Sequence, residues 1–154
     1  MPIPAFDPRG DLPVGVHRAT LTEVLDRCGA GTPQRERVTN RLVRVYELAQ
    51  RTGKLLRFVI FGSYVTAKPE PNDVDIILIM RDDFRLPECD AETAPMFYHL
   101  QAQAKFGASV FWSSPSGMLL ETVDQFIAHW QRKRDKSQHG IVEIIEEALL
   151  HDPQ

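Results

Sequence analysis

Four residues in this chain have types and spacing that could do chemistry: Gly62, Ser63, Asp73 and Asp75. The two aspartates are separated by one residue, so on a strand they project to the same side. Like charges held that close call for a cation between them. Gly62-Ser63 lies between a short apolar run and a proline-spaced loop through Pro69 and Pro71. The same residues could make a plain turn and a solvated strand end. Against that, the residues after Asp75 run apolar without alternation, so Asp75 enters a buried element, where an unpaired carboxylate is costly.

The elements that must position these residues are two strands. Residues 55–61 and 74–80 are short, rich in Ile, Val, Leu and Phe, and bounded by breakers, which predicts strands buried on both faces. Residues 108–113, Ala-Ser-Val-Phe-Trp-Ser, are expected as a third strand. Thr32-Pro33 reads as an N-cap and a first-turn proline opening a helix to about residue 52, with Gly53 as its stop. Its buried stripe is Val38, Leu42, Val45, Leu48 and Ala49, and Arg35, Arg37, Arg41, Arg44 and Arg51 are expected on the solvated face. Thr20-Leu-Thr-Glu23 forms a capping box for a short helix ending at Gly29.

Residues 1–19 carry four prolines and two glycines, which predicts an extended arm packed along a single domain over 20–150. A helix is expected from 92 to 105 with Phe97, Leu100 and Ala104 inward, and His99 on it as a surface residue. Another is expected from Gly117 to about Arg134, capped by Ser116, with Leu120, Val123, Ile127 and Trp130 buried. It ends in Gln131-Arg-Lys-Arg-Asp-Lys136, which with His129 is a basic patch suited to phosphate contacts or to the helix dipole. Residues 139–145 read as an edge strand, followed by a short acidic tail.

A chain of 154 residues with 43% hydrophobic and 25% charged residues suits one α/β (α+β) domain, a mixed β-sheet with helices packed on it. The net charge of −3 gives no global attraction to nucleic acid. Without an apolar run of about 18 residues or a signal pattern, a cytoplasmic location away from membranes is expected. Cys28 and Cys89 read as reduced structural residues.

The order Gly62, Ser63, Asp73, Asp75, with nine residues between Ser63 and Asp73 and the extended form Asn72-Asp-Val-Asp-Ile-Ile-Leu, resembles the nucleotidyltransferase fold of the DNA polymerase β superfamily. The match covers about a seventh of the chain. Phe6-Asp-Pro-Arg-Gly-Asp-Leu-Pro-Val-Gly-Val-His17 and His139-Gly-Ile-Val-Glu143 resemble an uncharacterised bacterial family of such small domains. The resemblance implies that Asp73 and Asp75 hold Mg²⁺ or Mn²⁺ and that a nucleoside triphosphate, with ATP the first choice, rests on Gly62 and Ser63. Lys68 would neutralise the leaving group and Tyr64 would stack on a base. A nucleoside monophosphate would pass to a protein or RNA acceptor, with a partner protein and a toxin–antitoxin or defence system as the implied setting. Competent members draw a third carboxylate from the third strand; the aligned position here holds Ser109, and no Asp or Glu lies from Lys105 to Leu120. A hydroxyl is no carboxylate base at neutral pH. Glu121 and Asp124 are the distant substitutes. The departure leaves a non-catalytic nucleotide- or partner-binding module as the alternative.

Overall fold

A computed structural model of the chain describes residues 3–118, 121–132 and 137–146. In chain order the elements are β1 (Val16–Thr20), α1 (Leu21–Cys28), α2 (Pro33–Arg51), β2 (Leu55–Phe61), β3 (Val74–Met80), α3 (His99–Phe106), β4 (Ala108–Ser113), α4 (Val123–His129) and β5 (Ile141–Ile145). The strands form one mixed sheet in the order β1-β5-β2-β3-β4. β2 runs antiparallel to both β3 and β5, while β1 with β5 and β3 with β4 are parallel. The fold is α+β. Among the described residues no helix is long and apolar enough to cross a membrane.

Both faces of the sheet are covered, which is why β3 is apolar without alternation. Phe58, Ile60, Ile76, Leu78 and Met80 pack in one core with Val38, Leu42, Val45, Leu48 and Ala49 of α2. Val59, Ile77, Ile79 and Ile141 form a second core with Ile127 of α4, joined by Phe61 and Trp130. The first two helices are capped as the sequence announces. The Thr20 hydroxyl accepts from the Glu23 amide while Glu23 accepts from the Thr20 amide, and the Thr32 hydroxyl accepts from the Arg35 amide with Pro33 at the first helical position.

Four elements depart from the sequence reading. The arm is not wholly irregular: its last residues form β1, whose partner β5 lies more than a hundred residues away and could not be seen locally. The rest does pack on the domain, with Ile3 and Leu12 buried. β5 is an inner strand rather than an edge, and its Glu143 is tolerated because Arg57 of β2 donates to both carboxylate oxygens at 2.9 and 2.7 Å. The helix expected from residue 92 begins only at His99, after a 3₁₀ turn over Ala94–Phe97. Phe97 is buried as expected, but Leu100 and Ala104 are exposed and Ala102 faces inward instead. Finally, the helix expected from Gly117 starts at Val123, because the pairing of Thr122 with Gln125 makes a full capping box that Ser116 lacks. That helix is over by His129, and a bridge between Arg132 and Gln138 turns the chain back toward β5. Leu120, the cations Lys133, Arg134 and Lys136, and the acidic tail from residue 147 lie outside the described residues. Cys28 and Cys89 are free thiols, as expected.

Candidate functional site: a carboxylate pair beside a Gly-Ser turn

Strand register brings the chemical residues together. Phe61, the last residue of β2, pairs with Asp75, so the turn after β2 and the start of β3 share one end of the sheet. Gly62 sits at φ +80°, ψ −163°, a conformation essentially restricted to glycine. A Cβ there would lie 2.1 Å from Asp75 Oδ2. The missing side chain is therefore the space that the Asp75 carboxylate occupies. Ser63 opens a single 3₁₀ turn, held by the Val65 amide donating to the Gly62 carbonyl at 3.2 Å and the Thr66 amide to that of Ser63 at 3.1 Å.

The loop from this turn to Asp73 is tied down by the first turn of α2. Arg35 is buried, with 6% of its surface exposed, where the sequence places it on the solvated face. Its guanidinium donates to the backbone carbonyls of Cys28, Tyr64, Thr66 and Lys68 at 2.5 to 3.0 Å. The Thr32 hydroxyl donates to the Pro69 carbonyl at 2.8 Å and the Gln34 amide to that of Pro71 at 2.9 Å. Five donors in a rigid fork suit a guanidinium to this task and an ammonium poorly. The signal was there to read: Arg35 lies three residues before Val38 and seven before Leu42, on the buried stripe, and in the first turn just after the cap.

Asp73 and Asp75 face one another's charge as the spacing requires. Ser109 of β4 pairs in register with Asp75, and its hydroxyl donates to Asp73 Oδ2 at 2.9 Å while accepting from the Gln103 amide at 3.2 Å. Burial pushes the Asp75 carboxyl up to about 6, and the charge of Asp73 adds to this; the Ser109 hydroxyl and the nearby His99 ring act in the opposite direction. A half-buried carboxylate beside a second one is the donor set for a hard divalent cation, which prefers oxygen ligands and keeps several waters. The residues fit Mg²⁺ or Mn²⁺ in that limited sense: among the described residues no group of three or more His, Cys, Asp or Glu is gathered for a metal. The distant substitutes do not complete it. Asp124 binds Arg57 at 2.7 Å and Glu121 lies 3.4 Å from His129.

A cleft of about 980 Å³ opens over this end of the sheet. Gly62, Ser63, Lys68, Asp75 and Ser109 all line it. The arm closes one side with Arg9, Gly10 and Asp11, anchored where the Ala67 amide donates to the Gly10 carbonyl at 2.8 Å. His99 and Gln103 of α3 and the segment with His129, Trp130 and Arg132 form the other. Arg9, Lys68 and Arg132 thus place three cations on the walls of the cleft that Asp75 lines. Of the expected residues, Asp73 and Tyr64 do not line the cleft; Asp73 is held beside it by Ser109, whereas Tyr64 points away into the core. Its ring is fully buried, its hydroxyl is 2.7 Å from that of Thr39, and burial pushes its pKa up to about 12. A ring with no free face cannot stack on a base; Tyr64 is a core residue under the turn.

A family model described as "Family of unknown function (DUF6932)" matches residues 4–145. The chain belongs to that family. The match runs from the arm through β5, so the DUF6932 unit includes both the wall that the arm builds and the strand that β1 pairs with. No curated protein and no solved structure gives a significant match.

Proposed function

We propose that this DUF6932 chain is a nucleotidyltransferase-like domain of the DNA polymerase β kind, which binds a nucleoside triphosphate with Mg²⁺ or Mn²⁺ and transfers the nucleoside monophosphate to a protein side chain or an RNA end. The observation that carries the reading is the approach of Asp75 to Gly62, where a Cβ would stand 2.1 Å from the carboxylate. It puts the Gly62-Ser63 turn against the Asp75 carboxylate at one cleft, which supports reading the turn as a phosphate site and the aspartates as a cation site.

In this reading the free amides of the Gly62-Ser63 turn and the Ser63 hydroxyl donate to phosphate oxygens. Lys68, Arg9 and Arg132 offset the remaining phosphate charge from the cleft walls. Asp73 and Asp75 are the residues that would hold the ion, whose chemistry when bound is charge neutralisation and a lowered pKa of the acceptor hydroxyl. Ser109 keeps Asp73 in one orientation, and Arg35 keeps the turn in place by fixing the loop behind it. The acceptor oxygen forms a bond to the α-phosphorus, the bond from that phosphorus to the bridging oxygen breaks, and pyrophosphate leaves with the electron pair. The acceptor proton passes to solvent through the open cleft.

A specific observation favours a second reading. Ser109 occupies the third-carboxylate position and spends its hydroxyl proton on Asp73. A domain that binds a metal–nucleotide and recognises a partner without turnover would need no more than this. Calorimetric titration with ATP in Mg²⁺ tests what both readings share: saturable, metal-dependent binding is expected, and its absence would reject both. Pyrophosphate release then separates transferase from binding module.

A further inference from the structure

The same cleft carries a feature that the phosphate and metal residues leave unused, a continuous row of aromatic rings. Phe61 is directly opposite Asp75 on β2, and Phe111 lies two residues beyond Ser109 on β4, so both side chains share the carboxylates' face of the sheet. Trp130, just past α4, bridges them with ring centres 4.8 Å from Phe61 and 4.9 Å from Phe111. His99 extends the row, 4.9 Å from Phe111. All four line the cleft. Phe61, Phe111 and Trp130 each remain half-buried, with surface left on the cleft, over the fully buried Val59, Ile77, Ile79, Ile127 and Ile141.

We infer that Phe61, Phe111 and Trp130 form a stacking wall for a nucleobase, so that the ligand whose phosphates rest on Gly62-Ser63 is a nucleotide rather than an inorganic polyphosphate or a sugar phosphate. The inference rests on the phosphate reading above and adds the chemical class of the other end of the ligand. Aromatic side chains bind bases through their π-faces, so recognition follows ring area. Purine nucleotides therefore bind more tightly than pyrimidine nucleotides. The wall also supplies what Tyr64 does not.

The chain has two tryptophans. Trp112 points to the other face of the sheet, against Phe84 and Phe97, with its indole N–H donating to the Phe97 carbonyl at 3.1 Å. A Trp112→Phe variant therefore leaves Trp130 as the sole reporter. Its fluorescence is titrated, in Mg²⁺, with ATP, CTP and inorganic tripolyphosphate, alongside calorimetry. ATP should quench Trp130 saturably and CTP less strongly, while tripolyphosphate binds without quenching. In the otherwise native chain, Trp130→Ala should raise the Kd for ATP about 10- to 100-fold, the range that loss of one base–aromatic stack gives. The Kd for tripolyphosphate should stay within about twofold, and Trp130→Phe should restore ATP binding, which shows that the alanine effect is not a folding defect. Equal affinity for ATP and tripolyphosphate, with no quench, would overturn the wall and leave the phosphate site standing. Binding of neither would overturn both.

Discussion

Gly62→Ala is the substitution whose consequences the structure determines most closely. Alanine at φ +80°, ψ −163° enters a region essentially reserved for glycine, at a cost of about 1 to 3 kcal/mol. Its Cβ would also stand 2.1 Å from Asp75 Oδ2 and 3.0 Å from the carboxyl carbon, so the Asp75 side chain must leave its position. The thermal midpoint should fall by roughly 2 to 12 °C for that range in a domain of this size. Metal-dependent nucleotide affinity should fall at least about tenfold, because the displaced carboxylate no longer faces the turn. Part of the stability loss belongs to the collision and part to the backbone, and Asp75→Ala removes the collision alone. The double variant should therefore be more stable than the two single effects predict, with a coupling of about 0.5 to 3 kcal/mol between these contacting residues. Urea denaturation of the four proteins measures it. A Gly62→Ala protein with native stability and native nucleotide affinity would refute the account, and strict additivity with Asp75→Ala would refute the assignment of the glycine to the carboxylate's space.

Three further outcomes are expected. The Asp75 carboxyl is raised to about 6 in the fold, so the native state binds a proton that the unfolded chain has released between about pH 4 and 6. Stability should therefore decline as pH rises through that window in metal-free buffer; Asp75→Asn should flatten the decline and stabilise the protein at pH 7.5 by roughly 1 to 2 kcal/mol after allowing for partial exposure, and an unchanged pH profile in that variant would contradict the shift. Arg35→Lys should destabilise by about 2 to 4 kcal/mol in urea titration, since hydrogen bonds from a charged donor to buried carbonyls are worth about 1.5 to 3 kcal/mol each and one ammonium cannot span four of them. It should also weaken nucleotide binding, and native behaviour would show that the loop holds itself. Ser109→Asp should lower metal-free stability by adding a third negative charge beside Asp73 and Asp75, tighten Mn²⁺ binding measured by calorimetry, and raise the rate of pyrophosphate release; a variant that binds the ion more weakly would show that this position does not face it.

The candidate site was legible because it is local. Gly62-Ser63 and Asp73-Val-Asp75 lie within one stretch bounded by two apolar runs, and β2, β3 and β4 fall at the bounds their composition predicts. The α2 stripe was equally plain, since its 3.6 period extends over nineteen residues. What the sequence concealed depends on partners distant in the chain. β1 exists only because β5 returns beside it, and β5 becomes an inner strand only by that pairing. Arg35 continues the buried stripe of α2, but the carbonyls it meets belong to a loop about thirty residues on. Tyr64 looks available beside a turn yet points inward to Thr39. The aromatic wall draws on β2, β4 and the residue after α4, and no spacing rule links Phe61, Phe111 and Trp130.

Incubation of the purified protein with α-labelled nucleoside triphosphates in Mg²⁺ or Mn²⁺, alone and with cell extract, tests the central claim most directly. Label should pass to a protein or RNA acceptor, and the Asp73→Asn, Asp75→Asn double variant, folded and relieved of its like-charge repulsion, should transfer none. Transfer by the double variant at the native rate would contradict the site. Absence of transfer by the native protein under every condition, alongside metal-dependent nucleotide binding, would contradict the transferase and leave the binding module that Ser109 favours.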